Sequence, residues 1–421
     1  MANRYFTFLI GMFSYLFSNA YYADYDIIVN NNPYPANIFL HTQNSNFMAI
    51  LDESLEPYWF IKSDNLGGID FKPSHDYISY FDKNNENWII ADKNMNEIDT
   101  LQCSSGMTDY HDIQILSNGN YIIQAYDSLI VDMSSLVQGG NPNALVRGIL
   151  RIQEFDENHE LIYNWFALDH LNIQDYINLN LTNPIFTWMH GNSIEIDYDD
   201  NLILSDRRSS QIIKINRITG DILWILGGPL NEFEIINDTF QGFTKQHDAR
   251  RLGNGNILLF DNGNSHEPPT SRAVEYQIDN QNMTATLVWE FVNPYGVVSA
   301  SMGSVQRLPN HNTLINWGNI PTQGANIIEV DNDGNIVLEL QFDLGSCYKV
   351  RKSDWEFDIS MIIGDPNLDG NIDILDIIYQ INFILSEDSY DLFNLYKIDL
   401  NKDANIDILD IMHLVNIILV E

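Results

Sequence analysis

The stretch KQHDARRLGNGNILLFDNGN, residues 245–264, decides the fold. A His-Asp pair opens a run of alternating apolar and polar residues, a Gly-Asn turn interrupts it, and a second alternating run ends in Asp-Asn-Gly-Asn. Period-two alternation on both sides of such a turn is the signature of a β-hairpin with one buried face. The pattern recurs. HDYISYFDKNNENWIIAD starts at His75, HDIQILSNGNYIIQAYD at His111, HGNSIEIDYDDNLILSD at His190 and GSVQRLPNHNTLINWG at Gly303.

A second hairpin follows each of these: IIKINRITGDILWIL, AVEYQIDNQNMTATLVWEF, IIEVDNDGNIVLELQF and, more loosely, RIQEFDENHELIYNWF and WIIADKNMNEIDTLQ. FMAILDESLEPYWFIK, near residue 47, reads as a sixth copy whose first hairpin lies in the N-terminal region. From His190 to His247 is 57 residues, and from His247 to Gly303 is 56. Two successive hairpins per period of that length make a four-stranded propeller blade, and six second units predict six blades. The period disfavours a pair of β-sandwiches, and radial repetition leaves few strand edges exposed.

The chain has 421 residues and a formal net charge of −37, with only 21 Lys and Arg. That field repels phosphate backbones and anionic lipid, which excludes nucleic acid and membrane surfaces as partners. An anionic small substrate needs a local basic site. The opening MANRYFTFLIGMFSYLFSNAYYADYD carries Arg4, an apolar run over residues 5–17 and Ser18-Asn19-Ala20. It reads as a signal peptide over residues 1–20, which implies a secreted, periplasmic or cell-surface protein with no membrane span after processing. Cys103 and Cys347 are the only cysteines. Their pairing is left open, since two Cys make no disulfide framework.

The first strand of a propeller blade lies nearest the axis. Residues that open those strands converge at one mouth of the channel, which places His75, His111, His190 and His247 in a common ring. Imidazole serves as acid, base, nucleophile or ligand near neutral pH. His75 and His111 also suit a structural role, bonding blade turns. His190 is followed by Arg207 and Arg208 in SDRRSSQIIKI, and His247 by Asn262, His266 and Arg272 in DNGNSHEPPTSRAVEY. An Arg fork binds tetrahedral oxyanions in a bidentate manner. Arg207, His111 and Asn262 are therefore candidate substrate contacts.

After about residue 355 the character changes. DPNLDGNIDILDIIYQINFIL and DLNKDANIDILDIMHLVNIIL are near-duplicates, each an Asp/Asn loop leading into an apolar helix. Alternating oxygen donors let a loop wrap around a hard cation, and the spacing is that of a calcium loop. The first set is Asp365, Asn367, Asp369, Asn371 through its carbonyl, Asp373 and Asp376. The second is Asp399, Asn401, Asp403, Asn405 through its carbonyl, Asp407 and Asp410. Gly370 permits the sharp turn in the first loop, and Ala404 replaces it in the second. The pair resembles a dockerin type I module over residues 360–421, which implies bound Ca²⁺ and a cohesin-like domain as partner.

Three segments of the larger region also carry a resemblance. WMHGNSIEIDYDDNLILSDRRSSQIIKINRITGDILWILGGP, FTKQHDARRLGNGNILLFDNGN and SRAVEYQIDNQNMTATLVWEF, in that order, are similar to the bacterial arylsulfate sulfotransferases. IIVNNNPYPANIFL, residues 27–40, resembles that family's N-terminal β segment. The resemblance implies a six-bladed propeller over residues 21–350. It also implies transfer of a sulfuryl group from a phenolic sulfate to a phenol, by a His-based ping-pong route with no nucleotide cofactor. It makes His190 and His247 catalytic. Its active-site Arg follows the DNGN segment, where this chain reads Ser265-His266, so His266 or Arg272 takes that place. Its nucleophile is a further His on a late blade, and the matching stretch NTLINWGNIPTQG contains none. The nearby His311 falls in the hairpin turn LPNHNTL.

The fold class read from the sequence is thus an all-β six-bladed propeller followed by a small α-helical, calcium-binding module. The functional reading is aryl sulfotransfer. Its alternatives are a non-catalytic propeller that binds sulfated or phenolic ligands, and a dockerin-tethered interaction scaffold.

Overall fold

The computed structural model of the chain describes residues 25–43, 47–62, 69–321, 324–343, 345–356, 363–367, 369–385, 397–401, 403 and 405–420. The signal-peptide reading of residues 1–20 lies outside them. The strands form six sheets. Their inner strands touch in a closed cycle, each against the next, so the sheets are the six blades of a propeller.

Blade I runs outward from the axis as Cys347–Ser353, Asn37–Thr42, Phe47–Leu51 and Pro57–Lys62. The inner strands of blades II to VI are Ile69–Ser74, Met107–Ile115, Gly191–Ile196, His247–Arg251 and Ser304–Arg307. Tyr25–Asn30 pairs antiparallel with Ile336–Phe342 as an extra outer strand of blade VI. Both ends of the propeller segment are therefore woven into blades begun elsewhere in the chain.

Two expectations change. The sixth copy does not draw its first hairpin from the N-terminal region alone, because its axial strand is Cys347–Ser353, from the far end of the propeller. Its register with Asn37–Thr42 carries the blade to Ser353, and Trp355 packs its ring edge-on against Phe39. His75 does not open an axial strand either. It sits in the turn between Ile69–Ser74 and Tyr77–Asp82, at φ +53°, exposed. The copy at His75 was read one strand out of phase, because period-two alternation looks the same whichever strand of a blade comes first. Cys103 and Cys347 are both unpaired.

The turns explain why one pattern recurs so often. In Leu252–Asn256 the first residue's N–H donates to the fifth residue's carbonyl, and the fourth donates back to the first. The fourth position has positive φ, taken by Gly255 here, by Gly119 and Gly334 elsewhere, and by His311 (φ +70°) in 308–312. Between blades the core is aromatic. Trp59, Trp88, Trp165, Trp188 and Trp317 are fully buried, and Trp165 and Trp88 donate to the carbonyls of Gly220 and Asp109.

A ladder of side chains joins the axial strands around the channel. Asp112 accepts from the amide of Ile194, Ser193 from Ala249, Asp248 from Val305, and Ser304 from Val350. Blades III, IV, V, VI and I are thereby tied in turn, each to the next, by a side chain at one shared position. Arg250 bonds Asp112, Asp248 and Glu195, and Arg351 reaches Asp248, so the buried carboxylates are paired with cations.

Beyond the propeller, Ile374–Leu385 and Ile408–Val420 are helices that pack together, with Gln380 Nε2 donating to the carbonyl of Ile398. Among the described residues no helix is long and apolar enough to cross a membrane.

Candidate active site

One residue before the ladder position, side chains point to the channel mouth. His111 in blade III and His247 in blade V stand there, as does Tyr348 in blade I. His190 lies three residues before Ser193 rather than one, so its place differs from the ring predicted from the repeats. It still arrives at the same mouth. His111 and His190 meet edge to face, with ring centroids 4.5 Å apart, and Tyr348 lies 5.5 Å from His111 and 6.4 Å from His247. These four rings, with Tyr110, Arg207, Gln43, Lys83, Ile69, Ser301 and Met302, line a cavity of about 300 Å³. A groove of about 700 Å³ opens at the other end of the axial strands. There Arg307 is paired with Glu275 and covers Trp289, so its charges answer each other.

Each imidazole has its own support. Asn262 Nδ2 donates to the carbonyls of Ser299 and Met302, which turns Oδ1 toward His247 Nδ1 at 2.6 Å. His247 therefore donates from Nδ1 and keeps a lone pair on Nε2. Burial first, then the Arg207 charge, pulls its pKa down to about 3, so the ring is neutral at physiological pH. His190 is held through its backbone. Its N–H donates to Asp206 Oδ1 at 2.8 Å and its carbonyl accepts from Arg207 N. Burial, then the neighbouring His111 and His247 and the two arginines, depresses its pKa well below the usual imidazole value. His111 Nδ1 lies 2.7 Å from Asp109 Oδ1, and the Tyr110 ring stacks on it at 4.2 Å.

Arg207 provides the positive charge. One Nη donates to the carbonyl of Ala300, while its Nε–H is buried without an acceptor among the described residues. An unanswered guanidinium N–H beside the imidazoles of His111, His190 and His247 suits an incoming oxyanion.

Residues 18–349 match the profile of a family described as Arylsulfotransferase (ASST). The chain belongs to the arylsulfotransferase family. A curated relative, arylsulfate sulfotransferase AssT from Escherichia coli O6:H1 (strain CFT073), is 28% identical over 169 residues. That match covers 32% of this chain and 28% of the relative. Among solved structures, a protein of unknown function from Bacteroides caccae matches with 13% identity and a TM-score of 0.46, covering 76% of this chain and 98% of the other. A streptogramin B lyase matches with 12% identity and a TM-score of 0.41, covering 80% and 100%.

For this arylsulfotransferase-family chain, the structure gathers His111, His190, His247, Arg207 and Asn262 at one mouth. It does not bring Arg272 or His266 there. Arg272 is fully buried, with Nε on Asp261, Nη groups on Asp238 and Glu290, and the Phe240 ring beneath it. His266 Nε2 shares Asp261 Oδ2 at 2.8 Å. The DNGN turn keeps its own cation as an internal tie, and neither residue lines the cavity.

A His has no room at Gly318 of NTLINWGNIPTQG, where φ is +63° and an added Cβ would lie 2.6 Å from the Gly303 nitrogen, nor at the axial position of the same blade. Blade VI has Gly303 one residue before its ladder Ser304, at φ +108°, where an added Cβ would lie 2.4 Å from the Phe260 ring. Asp109, Tyr110, Tyr348 and Lys83 were missed from the sequence. HDIQ and HDAR share a His-Asp pair at equivalent positions, but HDYI carries it too at His75, in a turn off the axis, and nothing near Tyr348 shows that its strand closes the ring.

The two C-terminal loops are alike. Asp365 accepts from the amides of Asp369 and Gly370, and Asp399 from that of Asp403. Asp373 N donates to Asp376 and Asp407 N to Asp410. Asn367 and Asn401 donate to Asp369 and Asp403, while the amides of Asn371 and Asn405 bond those same two carboxylates. Among the described residues no three His, Cys, Asp or Glu side chains are drawn together as a metal-holding group.

Proposed function

We propose that this propeller transfers a sulfuryl group from an aryl sulfate ester to a phenol by a ping-pong route through a histidine, with no nucleotide donor. The observation that carries this reading is the cavity at the channel mouth. Three imidazoles and an Arg207 with an unanswered N–H face one space, in a chain of the arylsulfotransferase family. Arg207 holds sulfuryl oxygens, while Tyr348, Tyr110, Met302 and Ile69 give the aryl ring an apolar wall. His190 carries the proton exchanged with the phenolic oxygen. Burial first, then His111 and His247 and the two arginines, disfavours its cation, and a bound sulfate ester would offset the arginine part of that repulsion.

Incubation of the full chain with 4-nitrophenyl sulfate and phenol is expected to release 4-nitrophenolate and form phenyl sulfate. Arg207→Gln is expected to lower turnover by roughly 10²–10³-fold, as loss of one preorganised donor to a developing charge does. Calorimetric binding of the ester with no phenolate release would support the alternative of a ligand-binding propeller.

For the tail we infer calcium binding in a dockerin-like module that docks a cohesin-like domain, on an exported protein. Asp376 is fully buried, its Oδ1 has no partner among the described residues, and burial followed by the Asp365 and Asp369 charges raises its pKa. A hard dication would supply the missing partner and cancel that repulsion, and the loop donors are all oxygens. Chelation is then expected to reduce helical circular dichroism while the propeller's melt stays in place. Simultaneous loss of both would contradict the reading.

A further inference from the structure

We infer that His111 is the residue that takes the sulfuryl group, with Asp109 as the residue that positions and polarises it; this rests on the sulfotransfer reading above. The three imidazoles differ in what supports them. His247 leans on the neutral amide oxygen of Asn262, and His190 is fixed through its backbone. His111 alone is backed by a carboxylate. Asp109 is 3% exposed, with Oδ1 at 2.7 Å from His111 Nδ1 and Oδ2 accepting from the amide of His111 and from Gln124 Nε2.

The buried carboxylates of the ladder are answered by Arg or Lys. Asp109 forms no such pair among the described residues, so the His111 ring is the cation-forming group that faces it. The bond to Nδ1 fixes the ring and leaves Nε2 as its free nitrogen. Tyr110 stacked on one face, and Lys349 Nζ on the His111 carbonyl at 2.7 Å, hold that pose.

The chemistry separates the candidates. When Nε2 attacks sulfur, its lone pair forms the N–S bond as the S–O(aryl) bond breaks, and the aryloxide leaves with the bonding pair. Nδ1 keeps its proton, so the sulfated ring carries a positive charge. A carboxylate at Nδ1 stabilises that charge, and an amide oxygen has no formal charge to offer. In the second half the acceptor's phenolic oxygen gives up its proton and attacks sulfur, and the N–S pair returns to Nε2. One proton is gained by the first phenol and one lost by the second, so the cycle balances without a co-reactant. His111 and His247 hold matching places in blades III and V, and Asp109 is what distinguishes them.

The test uses the full-length wild-type chain, mixed with 4-nitrophenyl sulfate without acceptor, quenched in base, digested and mapped by mass spectrometry. A sulfuryl increment on His111 and a burst of 4-nitrophenolate stoichiometric with enzyme are expected. His111→Gln should lose both while keeping the wild-type melting curve. Asp109→Asn should lower kcat by roughly 10²–10⁴-fold with KM little changed, as loss of the carboxylate behind a catalytic imidazole does. A purely structural Asp109 would lower the melting temperature and leave the kcat of the folded fraction intact. An increment on His190 or His247, or wild-type turnover by folded His111→Gln, overturns the assignment but leaves sulfotransfer standing. Wild-type enzyme that releases no nitrophenolate overturns sulfotransfer, and this assignment with it.

Discussion

Adjacent residues on the axial strands do opposite work. His247 points into the mouth and is kept neutral, whereas Asp248, the next residue, points into the ring of blades and is kept charged. The first has one amide for a partner. The second accepts from a neighbouring blade's amide and two arginines. A strand presents successive side chains to opposite sides, so one repeat carries both a mouth-facing position and a structural one. The ladder can therefore hold the mouth steady without occupying it.

The largest effect that tests this contrast comes from the ladder. Asp248→Ala removes the buried counter-charge of Arg351, one of three carboxylates on Arg250 and the acceptor of the Val305 amide, and is expected to cost about 3–5 kcal/mol, read as a lower denaturation midpoint. His247→Gln, one residue away, is expected to leave the midpoint nearly unchanged and abolish turnover. Equal destabilisation by both would erase the distinction.

Acid should separate the two positions in another way. The folded pKa of His247 is depressed, so the unfolded chain binds a proton first as pH falls. Its contribution is complete above about pH 6.5 and is lost progressively toward about pH 3. Asp112 and Asp248 also have depressed pKa values, but their contribution is lost only below the ordinary carboxylate value. Denaturation midpoints are expected to fall by about 2–3 kcal/mol in stability between about pH 6.5 and pH 4. His247→Gln should make that limb shallower, since His190 and His41 also contribute to it, and leave the lower one. A pH-independent midpoint across this range would mean the mouth histidines are not held neutral.

The smallest effect concerns the late histidine. His311 occupies the positive-φ place that Gly255 fills in the neighbouring blade. His311→Gly is expected to change stability by no more than about 1 kcal/mol, in the stabilising direction, and to leave turnover intact. Loss of activity would bring His311 into the chemistry.

Much of this was legible in the sequence, and the failures share a cause. Hairpin alternation, turn chemistry and the 56- and 57-residue spacings are local, and they revealed the blades and placed His247, while His190 reaches the mouth from just outside its axial strand. Phase is not local, which is why His75 was assigned to the axis while the neighbouring strand Ile69–Ser74 holds that place. Arg272 drew attention as a rare cation, but its carboxylates, Asp238 and Glu290, sit 34 and 18 residues away in sequence. Asp109 was invisible because a lone Asp two residues before a His has no meaning until the strand bends the two together. Tyr348 was missed because only ring closure carries it to His111.

That closure has a consequence for how the protein becomes functional. Tyr348 and Lys349 belong to the strand Cys347–Ser353, which supplies the axial edge of the first blade and the last of the propeller to be synthesised. Tyr348 walls the cavity, and Lys349 braces the His111 backbone. While the ribosome still holds that strand, the mouth lacks one side. A chain missing this strand lacks both the Tyr348 wall and the Lys349 brace, so the mouth is complete only once the whole ring has emerged.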